Sequence, residues 1–280
     1  LLKGINQWCF PQGTSLEEVF EHSSSAGFDV VELNLNPVGG VGLTMDTTVK
    51  EAEAIGKLAL KYGLNLQSLS TGLLWESPLS DPDPNVREQG RKVVLKQLEL
   101  AEILGIDTVL VVPGVVNANT PYEVCYKNSQ EEIHKLITTA EQRNVVIGIE
   151  NVWNKFLLSP LEMAAYVDQF ESDCVGVYFD VGNVLPFGYP EQWIRLLGER
   201  IRKVHVKDFC TKVGNIDGFV PLLAGDVNWK AVYAALCEVG YDGALTAELS
   251  PYKQAPFQLI YDTSRHLDMI MRRASIREER

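Results

Sequence analysis

The sequence is short of paired cysteines, long apolar runs and positive charge, and each shortage excludes something. Its five cysteines, Cys9, Cys125, Cys174, Cys210 and Cys237, form no CxxC pair, so neither a disulfide framework nor a zinc ribbon is indicated and a reducing cytoplasm fits best. No apolar run approaches the roughly 20 residues needed to cross a bilayer. The start, LLKGINQWCF, is too short and too polar for a secretory signal, so a soluble, cytoplasmic protein is expected. Lysine and arginine number 25 against 37 aspartates and glutamates, a formal net charge of -12. That balance repels phosphate backbones and anionic lipid within a Debye length of about 8 Å, which argues against nucleic acid and membrane partners.

What is present is a repeating pattern. With 280 residues, 46% of them hydrophobic, the chain can bury one large core, and α/β barrels commonly use about 200 to 250 residues or more as one domain. Short runs rich in Val, Ile and Leu alternate with longer stretches of helical periodicity, the mark of βα units on a parallel sheet. Strands are expected at 4–8, 29–34, 64–70, 107–112, 145–150, 174–180, 201–207 and 243–249. Helix starts are signalled by the capping residues Thr14 or Ser15 ahead of LEEVF, and by Asp83 with Pro84 and Ser159 with Pro160, where proline takes the first helical position. Gly27, Gly63, Gly105 and Gly240 stand between a helical stretch and the next strand, where a left-handed residue ends a helix. The expected fold is α/β, a single (β/α)8 TIM barrel over residues 1–280, with 272–280 a charged tail that frays.

Ionisable side chains are scarce in buried parallel strands because an unpaired charge there costs several kcal/mol. Four occur at or near the ends of the last four strands: Glu150, Asp180, His205 and Glu248. Strand ends of this polarity form the barrel mouth, where such enzymes keep their active sites. Three carboxylates on neighbouring strands repel one another unless a cation or protons intervene. Three oxygen donors with one imidazole suit Mn2+, Co2+ or Mg2+ better than a thiolate-seeking metal.

The motifs GIEN at 148–151, YFDVGN at 178–183, VHVKD at 204–208 and TAELS at 246–250 resemble those of the xylose isomerase-like barrel superfamily, closest to its sugar-phosphate isomerase/epimerase and ketose 3-epimerase group. The resemblance covers nearly the whole chain. It implies one divalent metal ion, Mn2+ first with Co2+, Mg2+ or Zn2+ as alternatives, on Glu150, Asp180, His205 and Glu248. It also implies that Glu150 and Glu248 are catalytic, one removing a proton next to a substrate carbonyl and the other returning it from the opposite face, through an enediolate. The implied partner is a small sugar or sugar phosphate, and relatives commonly form homodimers or homotetramers. Two positions depart from the free-ketose pattern: Asn183 stands where those enzymes carry a histidine, and Asn154 and Lys155 stand where they place a further acid.

Further candidates for substrate contact are Lys207, inward by strand alternation with His205, and Asn6 and Glu32, weighed equally as structural polar groups at the rim. Leu73, Leu74 and Trp75 read as an apolar lid over the mouth, and Trp8 and Trp153 as walls against which a sugar stacks. Lys155, Lys207, Lys212 and Lys253 are candidates for a phosphate. Competing readings on the same fold are an aldose-ketose or inosose-type isomerase, an abasic-site endonuclease-like hydrolase and a non-catalytic sugar-binding barrel. The nuclease is opposed by the acidic balance and by a total of four histidines, three of them, His22, His134 and His266, expected on outer helices.

Overall fold

The computed structural model describes residues 1–271, and the expected charged tail at 272–280 lies outside the described residues. Eight parallel strands form the wall: β1 (Leu2–Asn6), β2 (Val30–Asn36), β3 (Asn65–Thr71), β4 (Thr108–Val111), β5 (Val146–Glu150), β6 (Val175–Asp180), β7 (Ile201–Val206) and β8 (Ala244–Ala247). Each pairs with the next, and β8 closes onto β1 from Leu2↔Ala244 to Ile5↔Ala247. Outside them lie α1 (Leu16–Ala26), α2 (Val49–Lys61), α3 (Pro84–Leu104), α4 (Tyr122–Arg143), α5 (Pro160–Asp168), α6 (Pro190–Leu197), α7 (Trp229–Glu238) and α8 (Gln258–Ile270). This is the single (β/α)8 barrel expected from the alternation of runs.

Local chemistry explains the element ends. Ser15 and Glu18 form a reciprocal capping box at the start of α1, and Thr48 and Glu51 do the same for α2, each satisfying backbone N–H groups that have no partner within the helix. Asp83 caps α3 and Ser159 caps α5, both followed by proline. Gly27, Gly63, Gly105 and Gly240 adopt φ of 79°, 70°, 68° and 74°, the left-handed backbone that ends a helix without a Cβ clash. The buried face of α1, Leu16, Val19, Phe20 and Ser23, repeats at three and four residues and so packs one stripe against the barrel.

The strand bounds agree with the sequence reading to within two residues, and the first strand differs most. It begins at Leu2 and stops at Asn6, whose side chain accepts from the Trp8 amide at 2.6 Å and starts a 3-10 turn over Gln7–Cys9. Lys3 belongs to the strand because its amine reaches Ser264 Oγ at 2.9 Å and Asp268 at the foot of the barrel. The wall is apolar nearly throughout: Ile5, Leu33, Val109, Ile149, Val177, Val204 and Ala247 are fully buried. Each large aliphatic side chain removed from water in this way contributes about 1.5–3 kcal/mol. Loops leave from the C-terminal strand ends, the longest after β7, where Asp208–Phe209 pairs antiparallel with Phe219–Val220.

Candidate metal centre

Strand register brings the four ligand-type residues together. Asp180 pairs directly with His205 across β6 and β7, Glu150 is opposite Tyr178 across β5 and β6, and the Glu248 amide donates to Val206 O at 3.1 Å just beyond β8. Adjacent strands lie about 4.8 Å apart, so four consecutive strand ends converge on one space. One ligand atom from each of Glu150, Asp180, His205 and Glu248 lies within 4.8 Å of all the others, the one such group among the described residues.

Asp180, His205 and Glu248 are held from outside the cluster. Asn151 clamps the Asp180 backbone in both senses, donating to its carbonyl at 2.8 Å and accepting from its amide at 2.7 Å. Asp180 Oδ1 then caps the one-turn helix Val181–Val184 by accepting from the Asn183 amide at 2.8 Å. His205 turns Nε2 to Glu32 Oε1 at 2.5 Å, leaving Nδ1 3.4 Å from Glu248 Oε2 and 3.9 Å from Glu150 Oε1. The Lys207 amine lies 2.6 Å from Glu248 Oε2 and 3.0 Å from Asp180 Oδ2, beneath the Phe219 ring. Cys9 flanks Glu248 from below, its Sγ donating to Ala247 O at 3.3 Å and accepting from the Leu249 amide at 3.2 Å.

The electrostatics are those of buried anions with too little positive charge. Burial pushes the Glu150 carboxyl up to about 7, with the Glu248 charge adding to it and His205 and Lys207 opposing it. Burial likewise raises Asp180 despite Lys207. Burial would raise Glu248 too, but Lys207 and His205 outweigh it and hold that carboxyl well below the usual range. His205 Nδ1 is buried without a hydrogen bond among the described residues, a costly arrangement unless something pairs with it, and Asp180 Oδ2 has the Lys207 amine at 3.0 Å. An orphaned imidazole nitrogen among three carboxylates fits a divalent cation, and the donor set could hold one.

The other expected site residues divide. Lys207 touches the cluster. Asn183 is buried beside it, with Nδ2 donating to Asn151 O at 3.0 Å and its carbonyl accepting from Trp153 Nε1 at 2.9 Å. Trp153 packs edge-on to Phe209 and beside Phe219, forming part of the mouth wall. Lys155 is exposed on left-handed backbone at φ 60°. Trp75 is 44% exposed, whereas Leu74 is fully buried, so the lid reading is corrected: that apolar turn is partly core. Asn6 and Glu32 are corrected more strongly. Both are fully buried, and Asn6 Nδ2 donates to Glu32 Oε1 at 2.5 Å and to Ser70 Oγ at 3.0 Å, so neither is free at the rim for a hydroxyl.

Sequence reasoning missed Asn151, Tyr178 and Asp208. All three lie inside the motifs GIEN, YFDVGN and VHVKD. Asp208 is fully buried and organises the loop after β7, accepting from the Val227 amide at 3.1 Å and Trp229 Nε1 at 2.9 Å. Among the histidines, His22 pairs with Tyr261 at 3.0 Å and His134 lies against Phe170, away from the cluster.

The fold and the four-residue cluster define a barrel with one candidate cation site at its C-terminal mouth. The family described as Xylose isomerase-like TIM barrel matches residues 20–269, and the chain belongs to that family. Among curated proteins it is similar to the L-ribulose-5-phosphate 3-epimerase UlaE of Salmonella typhi, 24% identical over 255 residues, covering 88% of this chain and 86% of that protein. Among solved structures, D-psicose 3-epimerase from Clostridium cellulolyticum H10 superposes with a TM-score of 0.81 at 17% identity, over 98% of this chain and 99% of that one. The 3-keto-D-glucoside 4-epimerase YcjR of E. coli superposes at 0.79 with 15% identity, over 98% and 100%. At these identities the two structures establish the shared fold. Among the described residues, no helix is long and apolar enough to cross a membrane.

Proposed function

We propose that this chain is a metal-dependent epimerase of a ketose or ketose phosphate that moves a proton at the carbon next to the carbonyl. Its ligands would be Glu150, Asp180, His205 and Glu248, and its proton-transfer pair Glu150 and Glu248. The observation that carries this reading is the convergence of four donor atoms within 4.8 Å at the strand ends, with the two glutamates on the outer members of four adjacent strands. A divalent ion held there, Mn2+ ahead of Co2+, Mg2+ or Zn2+, would supply Lewis acidity toward a substrate carbonyl.

The protein's own part is proton transfer and orientation. Glu150 and Glu248 approach the cluster from different strands, so one can take a proton from carbon while the other returns one from the opposite face. Lys207, donating to Glu248 Oε2 at 2.6 Å, keeps Glu248 ionised and oriented, the form in which it can accept a proton. Glu150, on the other outer strand, would stand as its counterpart, the two exchanging acid and base roles between the forward and reverse directions. Trp153, Phe209 and Phe219 shield the neighbouring wall from water, which strengthens each charge contact.

Inversion at C3 is supported by the names of the relatives, an L-ribulose-5-phosphate 3-epimerase and a D-psicose 3-epimerase. A panel of pentuloses and hexuloses, free and phosphorylated at the terminal carbon, incubated with Mn2+-loaded protein in D2O, tests it. Deuterium at C3 together with the epimeric ketose is expected. Deuterium at C1 or C2 with an aldose product would indicate aldose-ketose isomerisation instead, and no exchange across the panel by metal-loaded protein would sink the proposal.

A further inference from the structure

We infer that Glu32 and Tyr178 are positioning residues of the metal centre, which together fix the nitrogen of His205 that is offered to a cation. The inference rests on the metal assignment proposed above. A neutral imidazole carries its proton on one nitrogen and a lone pair on the other, and the partner of the first decides the role of the second. Here the partner of Nε2 is a carboxylate oxygen, Glu32 Oε1 at 2.5 Å. An ionised carboxylate only accepts, so Nε2 must carry the hydrogen, and Nδ1, which faces Glu150 and Glu248, is the nitrogen left to offer a cation.

Glu32 is itself held from several sides. Its Oε1 also accepts from Asn6 Nδ2 at 2.5 Å, and its Oε2 accepts from the Tyr178 hydroxyl, which has Ser68 Oγ 3.2 Å away. The His205 ring packs on the Tyr178 ring with centroids 4.5 Å apart. Glu32, Tyr178 and His205 are all fully buried. Placing a carboxylate in a barrel interior costs several kcal/mol unless it is paired and hydrogen-bonded, and core packing alone would be served by an apolar side chain. An arrangement of this kind acts on the histidine, and disturbing such outer partners typically weakens metal binding 10- to 100-fold.

The test compares wild type, Glu32→Gln, Glu32→Asp and Tyr178→Phe by two readouts that do not involve turnover. Mn2+ affinity is followed from the free-Mn2+ electron paramagnetic resonance signal, and the His205 tautomer from long-range 1H–15N correlation spectra of the Zn2+-loaded protein. Glu32→Gln is expected to weaken Mn2+ binding on the order of 10- to 100-fold and to lose the uniform Nε2–H form, with Tyr178→Phe weaker by a smaller factor and Glu32→Asp partly restoring affinity. Tyr178→Phe removes a single hydroxyl, so it carries the test if Glu32→Gln does not fold. Folded variants that bind Mn2+ within twofold of wild type and keep Nε2–H would overturn the positioning role while leaving the metal assignment intact. A wild-type protein that binds neither Mn2+ nor Zn2+ would overturn both.

Discussion

The Lys207 amine donates to Glu248 Oε2 over 2.6 Å, placing a fixed positive charge on the carboxylate that is proposed to take the substrate proton. Lys207 and Glu248 have side chains only 12% and 20% exposed, so their pairing is weakly screened.

Lys207→Met should separate stability from cation binding. Breaking one side of a buried ion pair costs roughly 3–5 kcal/mol, so the metal-stripped variant should melt well below metal-stripped wild type. Removing a competing cation leaves the cluster more negative, so Mn2+ should bind more tightly and recover more of the lost Tm than it adds to wild type. Thermal melts with chelator and with saturating Mn2+ read both effects. An unchanged melting point in chelator would contradict the buried pairing.

Glu132 gives a pH signature away from the cluster. Its side chain is 1% exposed and receives Arg87 Nε at 3.1 Å, Lys135 Nζ at 2.9 Å and Arg91. Burial would raise this carboxyl, but the three cations prevail and hold it below the usual range. A depressed folded-state value means that the stabilisation is present above the unfolded value of about 4.3 and is lost as pH falls through the folded one. Glu132→Gln should therefore destabilise by roughly 3 kcal/mol at neutral pH, with the gap to wild type closing below about pH 4. Denaturant melts across that range check it, and a pH-independent gap would refute the ion-pair account.

The cysteines should react in order of burial. Cys237 is exposed, Cys174 and Cys210 are half-buried, and Cys9 and Cys125 are buried. Burial pushes the Cys9 thiol up to about 12 and the Cys125 thiol up to about 11, and the neutral thiol is unreactive. A disulfide reagent should label Cys237 first and reach Cys9 and Cys125 only after denaturation. Rapid native labelling of Cys9 would show that the clip beside Glu248 is not closed.

Gly182→Ala probes a close approach that leaves no trace in hydrophobicity. A Cβ there would meet Lys207 Cγ at 2.5 Å and Lys207 O at 2.6 Å. Overpacking of this kind typically costs about 1–3 kcal/mol, and here it would push Lys207 off Glu248. A lowered Tm with altered Mn2+ affinity is expected, and a variant identical to wild type in both would show that the contact yields without consequence.

Sequence legibility followed the range of the interactions. Helix caps and C-terminal glycines, such as Ser15 with Glu18 and Gly105, act within a few residues and could be read directly. Glu150, Asp180, His205 and Glu248 could be picked out because a charge at the end of a buried strand is costly and so conspicuous. Glu32 could not be read correctly, since its partner His205 is 173 positions away and an acid near a strand end looks equally like a rim ligand. The first strand, expected from residue 4, begins at Leu2, and its Lys3 is satisfied by Ser264 and Asp268, more than 260 positions away. Tyr178 could not be picked out either, because the partner of its hydroxyl, Glu32, is 146 positions away.

The most direct test of the proposed function is solvent deuterium incorporation at C3 of a turned-over ketose, measured in D2O for Mn2+-loaded wild type, Glu150→Gln and Glu248→Gln. Wild type should incorporate deuterium on epimerisation, and each variant should lose exchange by about a hundredfold to ten-thousandfold, the range for losing a general acid or base. Undiminished exchange in both variants, or epimerisation that takes up no solvent deuterium, would contradict proton transfer by this pair of glutamates.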